Sequence, residues 1–140
     1  MTKPVPMTLL IIDDDEILCE SVKDYFDSES CHVLMAHTGA DGLRVCSKYR
    51  VDVVLLDQKL PDAEGYTLCP DILKTHEHAK IIFITAYSSF DNAIKAIQTG
   101  AHDYLSKPFE LEALALAIQR AARHGQLEKI EEFQTYQLRK

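Results

Sequence analysis

One stretch constrains this chain more than any other: Val53-Val54-Leu55-Leu56-Asp57-Gln58-Lys59-Leu60-Pro61-Asp62. Four apolar residues run straight into a carboxylate, and Pro61 marks a turn just behind it. An unalternating apolar run closed by a turn reads as a strand buried on both faces, the kind found inside a parallel sheet. Asp57 then stands at the C-terminal end of a central strand, the edge where open α/β sheets place their ligands. Leu9-Leu10-Ile11-Ile12 repeats the design and ends in Asp13-Asp14-Asp15-Glu16. With the two strands side by side, three or more carboxylates meet at one edge. Like charges that close raise one another's pKa and are costly unless a positive charge sits among them. A hard divalent cation with oxygen ligands resolves the conflict.

The remaining composition excludes more than it adds. At 140 residues the chain reads as one domain with an ordinary core. Its net charge of −7 argues against a nucleic-acid-binding surface, so no direct contact with nucleic acid is expected. No apolar run approaches the roughly 20 residues that span a bilayer. The N-terminal Met1-Thr2-Lys3-Pro4-Val5-Pro6 lacks a signal-peptide core. A cytoplasmic protein without membrane contact is expected. Cys19, Cys31, Cys46 and Cys69 are scattered, without metal-ligand spacing, and read as buried free thiols.

In chain order, residues 1–7 form a loose lead-in with two prolines. Residues 8–12 are the first strand, and Asp14 or Asp15 can cap the helix behind it. Ile17, Leu18, Val22, Tyr25 and Phe26 keep one face of that helix apolar. Residues 32–36 form a second strand, followed by a helix capped at Thr38 with Leu43 and Cys46 inward. The central strand covers 51–56. Residues 66–75 are helical in composition, but Pro70 falls among them; the helix either starts late, with the proline in its first turn, or is bent. A fourth strand at 81–85 leads to a helix capped at Ser88 or Ser89, with Phe90, Ala93, Ile94 and Ile97 at i, i+3, i+4, i+7 and Gly100 closing it. Residues 103–106 are a short fifth strand. Glu110 opens a last helix carrying Leu111, Leu114 and Ile118, which Gly125 interrupts. Five strands alternating with five helices imply a parallel sheet covered on both sides. Residues 8–124 make up this domain, and 125–140 a charged helical extension or linker stump.

The polar residues at the strand ends are Asp13, Asp14, Asp57, Thr85 and Lys107. There is no Gly-rich phosphate loop and no GxSxG elbow, so neither stable nucleotide binding nor acyl transfer has its motif. Carboxylates, a hydroxyl and a lysine around Mg²⁺ suit phosphoryl transfer to aspartate. Asp57 is the nucleophile that forms an acyl phosphate. Mg²⁺ held by Asp13 and Asp14 neutralises the developing charge. Lys107 pairs with a phosphoryl oxygen, and Thr85 donates a hydrogen bond to another. Asp15 reads as a helix cap.

On these residues the sequence resembles the receiver domain of two-component response regulators, and in IIFITAYSSFDNAIKAIQTGAHDYLSKPFELEALALAI those of nitrogen-regulator type. The match rests on Asp13-Asp14, on Asp57 in LLDQKLPDAEG, on Thr85 in IIFITAY and on Lys107-Pro108 in DYLSKPF. The resemblance implies a flavodoxin-like fold of strand order 2-1-3-4-5, and phosphorylation of Asp57 by a histidine kinase or phosphotransferase. It implies Mg²⁺ on Asp14, Asp57 and the Lys59 backbone carbonyl, with Asp13 acting through water, and a cis Lys107-Pro108 bond. It also implies a switch: Thr85 moves toward the phosphoryl group, Tyr104 rotates inward, and the surface of the fourth helix, fifth strand and fifth helix changes. Lys59 and Tyr87, each two residues past a site residue, are expected to shield the acyl phosphate from water and lengthen its life.

Two other classes compete. A haloacid-dehalogenase-type phosphatase needs a second aspartate two residues past its nucleophile, where this chain has Lys59. A non-phosphorylated interaction module needs a missing acid, hydroxyl or lysine, and none is missing. The output domain or partner under control is not in this sequence. The tail resembles a linker, which favours a piece of a longer regulator over a stand-alone receiver. A homodimer through the fourth and fifth helices is a further expectation.

Overall fold

The computed structural model describes residues 6–139; most of the expected lead-in lies outside them. Five strands and five helices alternate: β1 (Met7–Ile12), α1 (Glu16–Phe26), β2 (Cys31–Ala36), α2 (Gly39–Lys48), β3 (Val53–Leu56), α3 (Gly65–Thr75), β4 (Lys80–Thr85), α4 (Phe90–Gln98), β5 (Asp103–Ser106) and α5 (Leu111–Leu138). The strands form one parallel sheet in the order β2-β1-β3-β4-β5. This is the flavodoxin-like doubly wound order.

The apolar runs divide by the two-residue period of a strand. Leu9, Ile11, Val53, Leu55, Ile82 and Ile84 pack under α1 and α5, with Cys19, Val22, Leu114 and Ile118. Leu10, Ile12, Val54, Leu56, Ile81 and Phe83 pack under α2, α3 and α4, with Cys46, Cys69, Ile72 and Ala96. All four cysteines are free and buried. Among the described residues, no helix is long and apolar enough to cross a membrane.

Local chemistry sets most boundaries. Asp15 caps α1 by accepting from Leu18 N at 3.0 Å, Thr38 caps α2 by accepting from Asp41 N at 3.1 Å, and Ser89 caps α4 by accepting from Asn92 N at 3.1 Å. Gly100 ends α4 at φ 106°.

Five expectations need correction. β3 begins at Val53 rather than at residue 51. In α1, Ile17 and Tyr25 face solvent, and the buried pair is Cys19 and Val22. Small thiol and valine side chains fit between helix and sheet, where larger ones would hold them apart. α3 starts at Gly65, so of the two alternatives for Pro70 the late start falls, and the proline lies inside the helix rather than in its first turn. In α4 the apolar period is present, but Phe90, Ile94 and Ile97 are exposed and only Ala96 is buried. Finally, Gly125 does not interrupt α5, which runs unbroken to Leu138. A Cβ on Gly125 would lie 2.9 Å from the His78 carbonyl oxygen. The glycine is there because helix and loop touch, and the helix tolerates it at a cost of about 1 kcal/mol relative to alanine.

Candidate functional site

Ladder hydrogen bonds continue one residue beyond three of the strands and fix the backbone of the polar residues there. Asp13 N donates to Ala36 O at 3.0 Å, Asp57 N to Ile12 O at 3.0 Å, and Lys107 N to Thr85 O at 2.9 Å. Three strand ends are thus held level. Their side chains converge.

Lys107 Nζ donates to Asp13 Oδ2 at 2.6 Å and to Asp57 Oδ2 at 3.4 Å. Asp13 is fully buried, and its other oxygen accepts from Asp15 N at 2.9 Å. One carboxylate oxygen from each of Asp13, Asp14 and Asp57 lies within 4.8 Å of the others, with Asp14 on the solvent side. The donor set is all oxygen and carries up to three negative charges against one lysine, which fits a hard divalent cation. Burial and the Asp13 charge push the Asp57 carboxyl up to about 6, against the pull of Lys107 and the Lys59 N–H. Burial works against the Lys107 ammonium. Its hydrogen bond to Asp13 and the charges of both aspartates outweigh that and hold its pKa above the ordinary value.

The loop after β3 is built to stay put. Gly65 N donates to Gln58 O at 2.8 Å and Leu60 N to Ala63 O at 3.1 Å, so the backbones of Lys59 and Glu64 pair as a short antiparallel bridge. A Cβ on Gly65 would lie 2.7 Å from both the Asp57 carbonyl oxygen and Phe83, so only glycine lets α3 start this close to the strand end. The Lys59 N–H points at Asp57 Oδ1 from 3.4 Å.

Thr85 is buried, and its Oγ1 accepts from Tyr87 N at 3.1 Å, which leaves the hydroxyl proton free to donate elsewhere. The Tyr87 carbonyl accepts from the Tyr104 hydroxyl at 3.2 Å and from Asn92 Nδ2 at 2.7 Å. Lys59 Nζ sits 5.2 Å from the centre of the Tyr87 ring, a cation–π contact between the two residues expected to shield the site. The Lys107–Pro108 peptide bond is cis.

Two positioning residues escaped the sequence reading. Gln58 is buried, and its Oε1 accepts from Tyr66 N at 3.0 Å, tying the residue after Asp57 to the first turn of α3. Asp62 accepts from Gly39 N at 2.7 Å and Ala40 N at 3.0 Å, capping α2 from the neighbouring loop. Those two N–H bonds hold its carboxyl below the usual range. Asp62 belongs to the turn after Asp57, but no local pattern says that its partner lies 23 residues back.

Residues 9–119 match the family described as "Response regulator receiver domain". The transcriptional regulatory protein GlrR of Escherichia coli (strain K12) is 35% identical over 116 residues, covering 83% of this chain and 26% of GlrR. The response regulator MprA of Mycobacterium ulcerans is 31% identical over 120 residues, covering 86% of this chain and 52% of MprA. The chain therefore spans between a quarter and about half of these relatives. Among solved structures, a CheY-like response regulator receiver domain protein from Methanospirillum hungatei JF-1 superposes with a TM-score of 0.83 at 30% identity, covering 88% of this chain and 98% of that one. The beryllofluoride-activated NtrC4 receiver domain dimer superposes with a TM-score of 0.79 at 30% identity, covering 84% and 98%.

Proposed function

The chain belongs to the response regulator receiver domain family, and from that premise we propose that Asp57 accepts a phosphoryl group from a histidine kinase or histidine phosphotransferase. The observation that carries this reading is the convergence of the Asp13, Asp14 and Asp57 carboxylates with the Lys107 ammonium on one sheet edge.

Asp57 presents a carboxylate oxygen to the phosphorus; the new O–P bond forms as the P–N bond to the donor imidazole breaks. Near neutral pH, a carboxyl pushed up to about 6 is still mostly ionised and able to attack. Lys107 already reaches both aspartates, so a short shift lets it pair with a phosphoryl oxygen. Thr85 has a free hydroxyl proton for another oxygen. Asp14, Asp57 and the Lys59 carbonyl would hold Mg²⁺, with Asp13 acting through water. When bound, the ion supplies charge neutralisation for the phosphoryl oxygens. Water later hydrolyses the acyl phosphate, returning the Asp57 carboxylate and releasing inorganic phosphate. The Lys59–Tyr87 contact shields the acyl phosphate and lengthens its life.

The switch runs through Tyr87. Its N–H is held by Thr85 and its carbonyl by Tyr104. Drawing Thr85 toward a phosphoryl group breaks the first contact and loosens the second, freeing the Tyr104 ring to turn inward and reshape α4, β5 and α5. That surface then controls an output domain or partner, with homodimerisation as one route. Residues 8–124 act as the switch and 125–140 as the connection to the output, in a protein working in the cytoplasm.

Intact mass after incubation with Mg²⁺ and acetyl phosphate tests the reading. One adduct of roughly 80 Da is expected, absent from Asp57→Asn. No adduct in the unsubstituted protein overturns the proposal and leaves an interaction module with this fold.

A further inference from the structure

The opposite edge of the sheet holds a second convergence. Where Gly125 lets α5 lie against the α3–β4 loop, the next two turns of the helix bring Glu128 and Glu132 over His78. The two imidazole nitrogens are used differently. Nδ1 lies 3.3 Å from Glu128 Oε1, an oxygen that also accepts from Lys80 Nζ at 2.7 Å. Nε2 touches Glu132 Oε2 and lies 3.4 Å from Glu77 Oε1. One ligand atom from each of Glu77, His78 and Glu132 falls within 4.8 Å of the others.

Without an ion, the Glu132 hydrogen bond outweighs burial and, with Glu128, holds the His78 imidazole above its ordinary pKa, while Glu77 competes with Glu132 for the same Nε2. A divalent ion satisfies all three groups at once. The far side of the ring has the arrangement typical of metal-bound histidine: the second nitrogen donates to a carboxylate that is itself fixed, here Glu128 by Lys80. One imidazole and two carboxylates suit Zn²⁺ or a neighbouring first-row ion rather than Mg²⁺. The surrounding cleft is lined by four glutamates and one arginine, which leaves it anionic, and its mouth is open because Glu77 and Glu132 are exposed.

We propose that Glu77, His78 and Glu132 form a binding site for a first-row divalent metal ion of the Zn²⁺ type, separate from the Asp13–Asp14–Asp57 cluster. Glu77 and His78 come from the loop and Glu132 from a helix 54 residues further on. The bound ion therefore clamps the extended part of α5 to the body of the domain. The proposal does not depend on phosphorylation of Asp57.

Calorimetric titration of the full chain with Zn²⁺, in a large excess of Mg²⁺ to occupy the strand-edge aspartates, tests it. One equivalent is expected to bind. His78→Gln should weaken binding at least about tenfold, Glu132→Gln comparably, and Glu128→Gln within the roughly 10–100-fold range of lost supporting carboxylates. Asp57→Asn should leave the site unchanged. Imidazole ¹⁵N spectra of the unsubstituted protein guard against a variant that misfolds, because His78 Nε2 must shift with the first equivalent. Binding that survives His78→Gln, that excess Mg²⁺ abolishes, or that leaves the His78 nitrogens unmoved overturns the proposal.

Discussion

Two lysines pair with carboxylates at opposite edges of the same sheet, and they are buried to a similar degree. The Lys107 side chain is 20% exposed and the Lys80 side chain 14%. Their partners differ. Lys107 faces Asp13 at 0% and Asp57 at 8% exposure, whereas Lys80 faces Glu128 at 32%. The chain elements explain this. Asp13 and Asp57 end strands that are covered on both sides, so their carboxylates stay under the rim of the sheet. Glu128 projects from a helix that has begun to leave the body. The buried edge holds more negative charge than its lysine can balance. That excess is what a phosphoryl-transfer site with a metal ion requires, and a site built for stability alone would avoid it.

The sharpest way to break the comparison is to remove the cation from the buried edge. Lys107→Met keeps the stem and deletes the charge, leaving Asp13 without an ionic partner. An uncompensated buried charge costs about 3–5 kcal/mol. Urea melts in metal-free buffer should show a loss in this range. A loss below about 1 kcal/mol would place this pair in the same class as an exposed one.

Removing an acid from the same edge should do the opposite. Asp57 binds its proton more tightly in the folded state, with its carboxyl raised from 3.8 to about 6. The ionised form therefore destabilises the fold. This cost is absent below the unfolded pKa, grows as pH rises through 6, and is constant above. Asp57→Asn should stabilise the metal-free protein by about 3 kcal/mol at pH 7. The gain should shrink toward zero as pH falls to 4. Mg²⁺ should narrow it at neutral pH by stabilising the unsubstituted protein more than the variant, which has lost one of its carboxylates. A gain that is flat with pH, or a loss, would remove charge excess as the organising feature of this edge.

How much of this could be read from the sequence follows the same division. The five strand-end residues were legible because apolar runs announce buried strands, and a polar residue closing such a run has few places to be. The helices were legible as helices, but not always as to which side they bury. Period alone made Phe90, Ile94 and Ile97 a candidate inner face for α4; only Ala96 lies inward, since periodicity records that an apolar face exists and not that anything covers it. In α1 the large residues Ile17 and Tyr25 outweighed Cys19 in the pattern, although the thiol is what fits against the sheet. Gly125 read as a break because a glycine's local meaning is flexibility, while here its meaning is the His78 carbonyl, set by a contact 47 residues away. Gln58 and Asp62 stayed silent for the same reason, since each acts by accepting backbone N–H groups of a helix that sequence does not place beside it.

The smallest expected effect sharpens the comparison from the exposed edge. Lys80→Met deletes a lysine no more exposed than Lys107, with a tight 2.7 Å contact to Glu128. If lysine burial set the cost, the two substitutions would match. Glu128, however, turns back to solvent when its partner is lost, and the pair gives up only the modest attraction of a surface bridge. The expected loss is under about 1 kcal/mol, falling further in high salt. The same urea melts, run at low and high ionic strength beside Lys107→Met, decide it. A loss comparable to that of Lys107→Met would show that the seam between α5 and the α3–β4 loop carries as much of the fold as the buried edge. Glu128 would then be held in place too firmly to relax, and the long helix would be an integral wall of the domain.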